Sequence, residues 1–296
     1  MPGYLVKVRK RMDIYAQRRV RNVLAGNYGS VFKGRSMDFD DLREYSYGDD
    51  VKDIDWKATA RSRTIMIRRY IAVRKHNIMI VADSGNSMAG LAPSGEKKSE
   101  VATFCAGVVS YVTQKHGDLV GMVYGNQSEN KRYAMKEDTP YIENFLKKYE
   151  PAVDVDGPNS DINALLTYIS KSFRERMFLI IITDPTSAAT LDRELVRRLN
   201  VRHEQMFILV EDSPVTNKML LGGDASDINE HIRLPHYFRA NKKIAKAEDD
   251  FRRVLTSKIQ KGLYRLGVVS TTVDSSERAV PQIFKMLEEQ KHARHK

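Results

Sequence analysis

The 296-residue chain has a single cysteine, Cys105, so internal disulfides and thiolate metal clusters are excluded; its place in an apolar helical pattern points to packing. No stretch reaches the ~18 consecutive apolar residues of a membrane span, and the opening MPGYLVKVRKRMDIYAQ has no apolar signal-peptide core. A cytoplasmic protein is expected. Enzyme motifs are also missing: there is no His-Glu-x-x-His and no Gly-x-Ser-x-Gly elbow, while His231 and His236 are five apart around a proline. Gly90 to Ser99 imitates a phosphate loop but places Glu96 where the lysine should follow the second glycine, and a carboxylate there repels phosphate.

What is present is an uneven charge. Of the net +11, residues 1–75 hold +9, from 6 Lys and 12 Arg against 9 Asp plus Glu. Lys7, Arg9, Lys10, Arg11, Arg18, Arg19 and Arg21 interleave with Leu5, Val8, Met12, Tyr15 and Val23, an amphipathic segment with a basic face. Its apolar side is expected to pack on the main domain, leaving the basic face for an acidic protein surface. With no nucleic-acid motif alongside, nucleic acid is not the expected partner, although a nucleic-acid-binding accessory role stands as a lesser alternative.

From residue 76 the pattern alternates. Apolar runs at 77–82, 119–124, 131–135, 177–183, 205–210 and 267–271 read as strands. Helical periodicity marks 97–116, 139–148, 161–173, 191–199, 242–266 and 280–291. Alternation of this kind predicts an α/β fold with a mostly parallel sheet covered by helices on both faces. The 119–124 and 131–135 runs flank Gly125-Asn126, a hairpin whose second strand lies near an edge. The expected division is a basic N-terminal module over 1–75 and the α/β domain over 76–296.

Residues 34–61 hold the only Trp, Trp56, with Tyr45, Gly48 and many carboxylates. The stretch is expected to be non-helical, with Asp49, Asp50, Asp53 and Asp55 fixing a bend and Arg43 and Arg61 neutralising them. Its order, Gly-Arg, then Asp-Phe-Asp-Asp-Leu-Arg-Glu-Tyr, then Gly-Asp-Asp-Val-Lys-Asp-Ile-Asp-Trp-Lys-Ala-Thr-Ala-Arg, closely resembles the signature of the domain-of-unknown-function 58 (DUF58) family, in which it precedes a von Willebrand factor type A-like, Rossmann-like domain.

That resemblance implies a metal-ion-dependent adhesion site (MIDAS). Asp83-Ser84-Gly85-Asn86-Ser87 is similar to its Asp-x-Ser-x-Ser motif, with Gly85 in place of the middle serine. Asp184 matches the later aspartate, and Ser160 stands where a loop threonine is usual. Asp83, Ser87, Ser160 and Asp184 are therefore the candidate ligands for Mg2+, whose hard oxygen chemistry they suit, at strand ends where open α/β sheets bind ligands. The competing reading is that Asp83 and Ser87 cap the following turn. The resemblance further implies a non-enzymatic adaptor that partners a MoxR-type AAA+ ATPase in assembling or maturing other proteins. The alternative is a metal-assisted hydrolase using Asp83, Asp184 and Asp49 or Asp50.

Overall fold

The computed structural model describes residues 3–18, 41–49, 51, 54–69, 75–216, 225–226, 233–234 and 241–293. Arg19, Arg21, Val23, Asp50, Asp53, Gly222, Gly223, His231, Pro235 and His236 lie outside them. The chain forms two compact units, residues 32–75 and residues 1–31 with 76–296.

In the small unit, β1 (Asp41–Glu44) pairs antiparallel with β2 (Met66–Arg69), and α2 (Trp56–Ser62) stands between them in sequence. The expectation of a non-helical signature is corrected at its end. Asp55 caps α2 by accepting from the backbone N–H of Lys57 and Ala58, satisfying donors that a helix start leaves open. Asp49 does bend the chain: its carboxylate accepts from the Ser46 N–H at 2.9 Å and pairs with Arg43. Arg61 donates instead to the Lys57 carbonyl, one turn back in its own helix.

The large unit is built on β3 (Asn77–Asp83), β4 (Leu119–Gly125), β5 (Asn130–Lys136), β6 (Phe178–Thr183), β7 (Glu204–Val210) and β10 (Val269–Val273). Their order across the sheet is β10-β7-β6-β3-β4-β5, parallel throughout except for β5, which turns back on β4 at the edge. This is the doubly wound order that reverses beside the first strand, here β3. The central strands are apolar along their whole length because both faces are covered: β6 is buried at every residue, and Ile78–Asp83 of β3 likewise. Short β8 (Ala225–Ser226) and β9 (Arg233–Leu234) pair with each other.

One face carries α3 (Lys98–Lys115), α4 (Thr139–Tyr149) and α9 (Ser276–Ala293); the other carries α5 (Ile162–Ser172), α7 (Arg193–Arg202) and α8 (Lys242–Arg265). Met79 and Val81 point into the second layer with Leu165, Leu199 and Leu263. The strand expected at 267–271 begins two residues later. Gly267 adopts φ +74, ending α8 in the left-handed turn that glycine accepts without steric cost. A short helix, α6 (Pro185–Ala189), follows β6 ahead of α7, where the periodicity shows only the second helix.

The N-terminal module expected over 1–75 divides. Its first helix, α1 (Tyr4–Arg18), packs on α3, α4 and α9 and so belongs to the large unit. Leu5, Val8 and Met12 are buried there, while Lys7, Arg9 and Lys10 stay exposed. The Glu143 carboxylate accepts from the N–H of Tyr4 at 2.9 Å and of Leu5 at 2.6 Å, closing the helix start with a negative charge.

The α1–α3 contact depends on Gly107, where an added Cβ would lie 3.0 Å from Val8 Cγ2. Gly107→Val is expected to lower stability by about 1–3 kcal/mol through overpacking. Combined with Val8→Ala it should recover part of that loss in thermal melts followed by circular dichroism; purely additive losses would contradict the contact.

Candidate functional site

The parallel pairing of β3 with β6 sets Ala82 beside Ile182, and so brings Asp83 level with Thr183 and close to Asp184. All three are fully buried. One Asp83 oxygen accepts from the Gly85 N–H at 2.9 Å and the other from the Thr183 hydroxyl at 3.0 Å, while Tyr149 donates its hydroxyl to the Asp83 carbonyl at 2.7 Å.

A second loop folds over this strand end. The N–H of Asn86 donates to Pro158 O at 2.9 Å, Asn86 Nδ2 to Asn159 Oδ1 at 3.1 Å, and the N–H of Gln127 to Asn159 O at 3.0 Å. Asp161 then caps α5 by accepting from Ala164 N–H at 2.8 Å. Pinned in this way, Ser160 places its hydroxyl 2.7 Å from that of Ser87. An ideal Cβ on Gly85 would stand 2.3 Å from the Cα, N and Oγ of Ser160. Gly85 has an ordinary φ of −70°, so it is there for space, and the Ser160 hydroxyl occupies the volume that a serine at 85 would fill.

The four expected residues thus come together: Asp83, Ser87, Ser160 and Asp184. The capping reading is also realised in part, since Asp184 Oδ1 accepts from the Ser187 N–H at 2.7 Å at the start of α6. Two residues not expected from the sequence complete the cluster. Lys98, only 1% exposed, donates its ammonium to Asp184 Oδ2 at 2.9 Å and to the carboxylate of Asp212. Asp212 lies two residues past the end of β7, where Asp184 directly follows β6, so a search of the loop after a third strand end finds it. Lys98 shares a helical face with Val101, Ala102 and Cys105, all buried, and that spacing was the available sign. The Gly90–Ser99 stretch closes on itself through a Leu91–Lys97 bridge, and Glu96 accepts from Ser94 and from the Ser276 N–H. It is a turn.

Electrostatics divide the two strand-end aspartates. Burial, reinforced by the negative charge of Asp184, pushes the Asp83 carboxyl up to about 6; the Gly85 N–H and the Ser160 and Thr183 hydroxyls pull the other way. Burial would raise Asp184 too, but the Lys98 ammonium, the Ser187 N–H and the Ser87 hydroxyl hold it below the ordinary carboxylate range. Lys98 also loses solvation by burial, yet Asp184 and Asp212 keep it above its usual value. The Cys105 thiol is pushed up by burial and is inert.

The donor set of the rim is two hydroxyls and two carboxylates. Among the described residues no group of three or more His, Cys, Asp or Glu is placed to hold a metal ion, so any ion here must use the serines. The set fits a hard divalent cation in donor type, all oxygens, with Asp83 as the buried charge that no ammonium pairs, since Lys98 is bonded to Asp184.

The large unit, a mostly parallel doubly wound sheet with helices on both faces, has a von Willebrand factor A-like fold. The profile of the family described as "Protein of unknown function DUF58" matches residues 41–218, more than half of the chain, and the chain belongs to that family. Similar curated proteins are the uncharacterized proteins Rv1480 of Mycobacterium tuberculosis and Mb1516 of Mycobacterium bovis. Each is 23% identical over 204 residues, which is 69% of this chain and 64% of the relative. The chain therefore spans about two thirds of the length of the curated relatives it matches.

Similar solved structures include the conserved hypothetical protein BatB from Bacteroides thetaiotaomicron, with TM-score 0.46 and 18% identity over 73% of this chain and 99% of that one. An aerotolerance-related membrane protein from Bacteroides fragilis gives TM-score 0.45 and 17% identity over 73% and 98%. The SpRpn10 von Willebrand factor A domain gives 0.33 and 12% over 73% and 94%. Among the described residues no helix is long and apolar enough to cross a membrane.

Two outcomes follow from this geometry. Restoring the motif by Gly85→Ser is expected to destabilise the protein by at least the ~1–3 kcal/mol of ordinary overpacking, because the clash is with Ser160 backbone; a neutral or stabilising effect in urea unfolding would refute it. For Asp83, the folded-state value near 6 lies above its ordinary 3.8, so between those values the folded state holds more protons and stability falls as pH rises. In metal-free buffer Asp83→Asn is therefore expected to be more stable than wild type at neutral pH, by up to about 3 kcal/mol, with the gap closing toward pH 4. An equal gap at both pH values would contradict the assignment.

Proposed function

We propose that this chain is a non-enzymatic adaptor acting in the cytoplasm, and that the Asp83–Ser87–Ser160–Asp184 rim is its protein-docking site. The observation that supports this reading is the convergence of two hydroxyls and two carboxylates from three separate segments at the switch point of the sheet, where such folds bind their ligands. Ser87 and Ser160 would hold a Mg2+ ion directly, with Asp83 and Asp184 behind them. The ion would supply an open coordination position for a partner's Asp or Glu.

Interaction is favoured over hydrolysis by how each carboxylate is committed. Asp184 is bound by an internal ammonium, both oxygens of the fully buried Asp83 are bonded within the fold, and Asp49 is paired with Arg43 in the small unit. The partner we propose, from the family resemblance, is a MoxR-type AAA+ ATPase, with this chain helping to assemble or mature other proteins. The exposed Lys7, Arg9 and Lys10 of α1 offer a second contact, to an acidic surface of that ring.

The test is capture of the purified ATPase by the purified full chain in magnesium and ATP. Ser87→Ala and Ser160→Ala are each expected to weaken capture at least tenfold, and EDTA to abolish it, whereas raised salt weakens only the α1 contribution. Capture that survives both EDTA and Ser87→Ala would overturn the metal-dependent docking site.

A further inference from the structure

Lys98 is in an unfavourable place for an ordinary lysine. It is the first residue of α3, where the helix dipole disfavours a cation, and it is buried, where an unpaired ammonium is costly. A charge kept against both effects is kept for its partners. Those partners come from two different strand ends: Asp184 after β6, fully buried, and Asp212 after β7, whose side chain is 40% exposed.

Asp212 lies in a segment, residues 211–216, that is fastened along its length. Glu211 N–H donates to Val273 O at 2.9 Å and Ser213 N–H to Leu91 O at 2.7 Å. Arg252 donates to the Asp212 carbonyl. The Glu248 carboxylate accepts from the N–H of Val215 at 2.6 Å, the N–H of Thr216 at 3.2 Å and the Thr216 hydroxyl at 2.8 Å. The segment is thus clamped to α8 on one side and, through the Lys98 ammonium, to the candidate site on the other.

We propose that Lys98 is a positioning residue that fixes the Asp184 carboxylate and ties residues 211–216 to the rim, making that segment a second wall of the partner-docking face. This rests on the reading of the rim as that face. Asp184 has one oxygen on the Ser187 N–H and the other on Lys98, so its orientation is set from both sides. Asp212 extends the same ammonium outward to a side chain that solvent, and a partner, can reach. The wall and the buried carboxylate therefore move together, and a protein engaging the hydroxyl pair meets residues 211–216 at a fixed distance.

Amide hydrogen exchange on the purified full chain, without metal or partner, tests the tie directly. Asp212→Asn keeps the Lys98–Asp184 pair and is expected to raise exchange at Ser213, Val215 and Thr216 at least tenfold while leaving Ser187 protected. Lys98→Met should raise exchange at Ser187 as well. Ser87→Ala, which weakens docking, should leave the Ser213, Val215 and Thr216 amides as in wild type, which separates failure of this inference from failure of the docking site. Exchange in residues 211–216 within twofold of wild type in Asp212→Asn would overturn the tie; because Asp212 is partly exposed, that variant folds even where Lys98→Met does not. In the ATPase capture assay Asp212→Asn is expected to lose at least fivefold, and capture equal to wild type with a loosened segment would overturn the second wall.

Discussion

The parallel pairing of β3 and β6 is the constraint on which the rest of this molecule depends. β6 is buried at every residue and β3 from Ile78 onward, and the strands run out into aspartates one residue apart in level, Asp83 beside Thr183 and Asp184 just beyond. Two carboxylates in a low-dielectric setting repel, and neither can reach bulk water. The fold answers the two charges differently. Asp184 receives an ammonium and a helix N–H; Asp83 receives only neutral donors, so its charge remains unfavourable. That asymmetry gives the rim its chemistry, because a cation arriving from solvent gains most next to the carboxylate that the protein has not neutralised.

The strands were legible because a buried parallel strand is a short, unbroken apolar run, and 77–82 and 177–183 are unbroken. Their terminal aspartates, with Ser87 and Ser160, were legible through the family resemblance. What it implied is that four residues meet, and they do. Lys98 was not legible as a site residue because Lys97 and Lys98 open a helix side by side, and charge patterning reads such a pair as solvated. Only their phase against Val101 and Cys105 separates the outward lysine from the inward one. The helix α2 was missed for a related reason: a run of aspartates argues for turns, yet Asp55 is a turn residue and a helix cap at once, and a cap implies the helix behind it.

Gly85 shows why a departure from a motif need not mean a lost site. Counted along the chain, the middle serine is gone. Counted in space, the loop residue Ser160 brings its own hydroxyl into the volume that side chain would take, from a loop that can approach only because residue 85 has no side chain, and the rim keeps two hydroxyls. The exchange changes what holds the site together. A motif confined to one turn is rigid by itself, whereas this one depends on the Pro158, Asn159 and Asp161 contacts that seat a second loop. The rim is therefore more sensitive to that loop than the one-dimensional motif suggests.

The charge asymmetry takes a different meaning once the fold is known. In sequence, the positive excess belongs to residues 1–75 as though to one module. In the folded chain, α1 is part of the large unit, anchored through Leu5, Val8 and Met12, and residues 32–75 are inserted between α1 and β3. The exposed basic residues of α1 thus ride on the same body as the strand-end rim. A partner that engages both faces would bind a single compact unit, and its second contact would then form at high effective concentration without a linker to order. Two modest contacts, one hard-ion and one diffuse basic, would together give an affinity that neither reaches alone, and the two would respond to chelator and to salt independently.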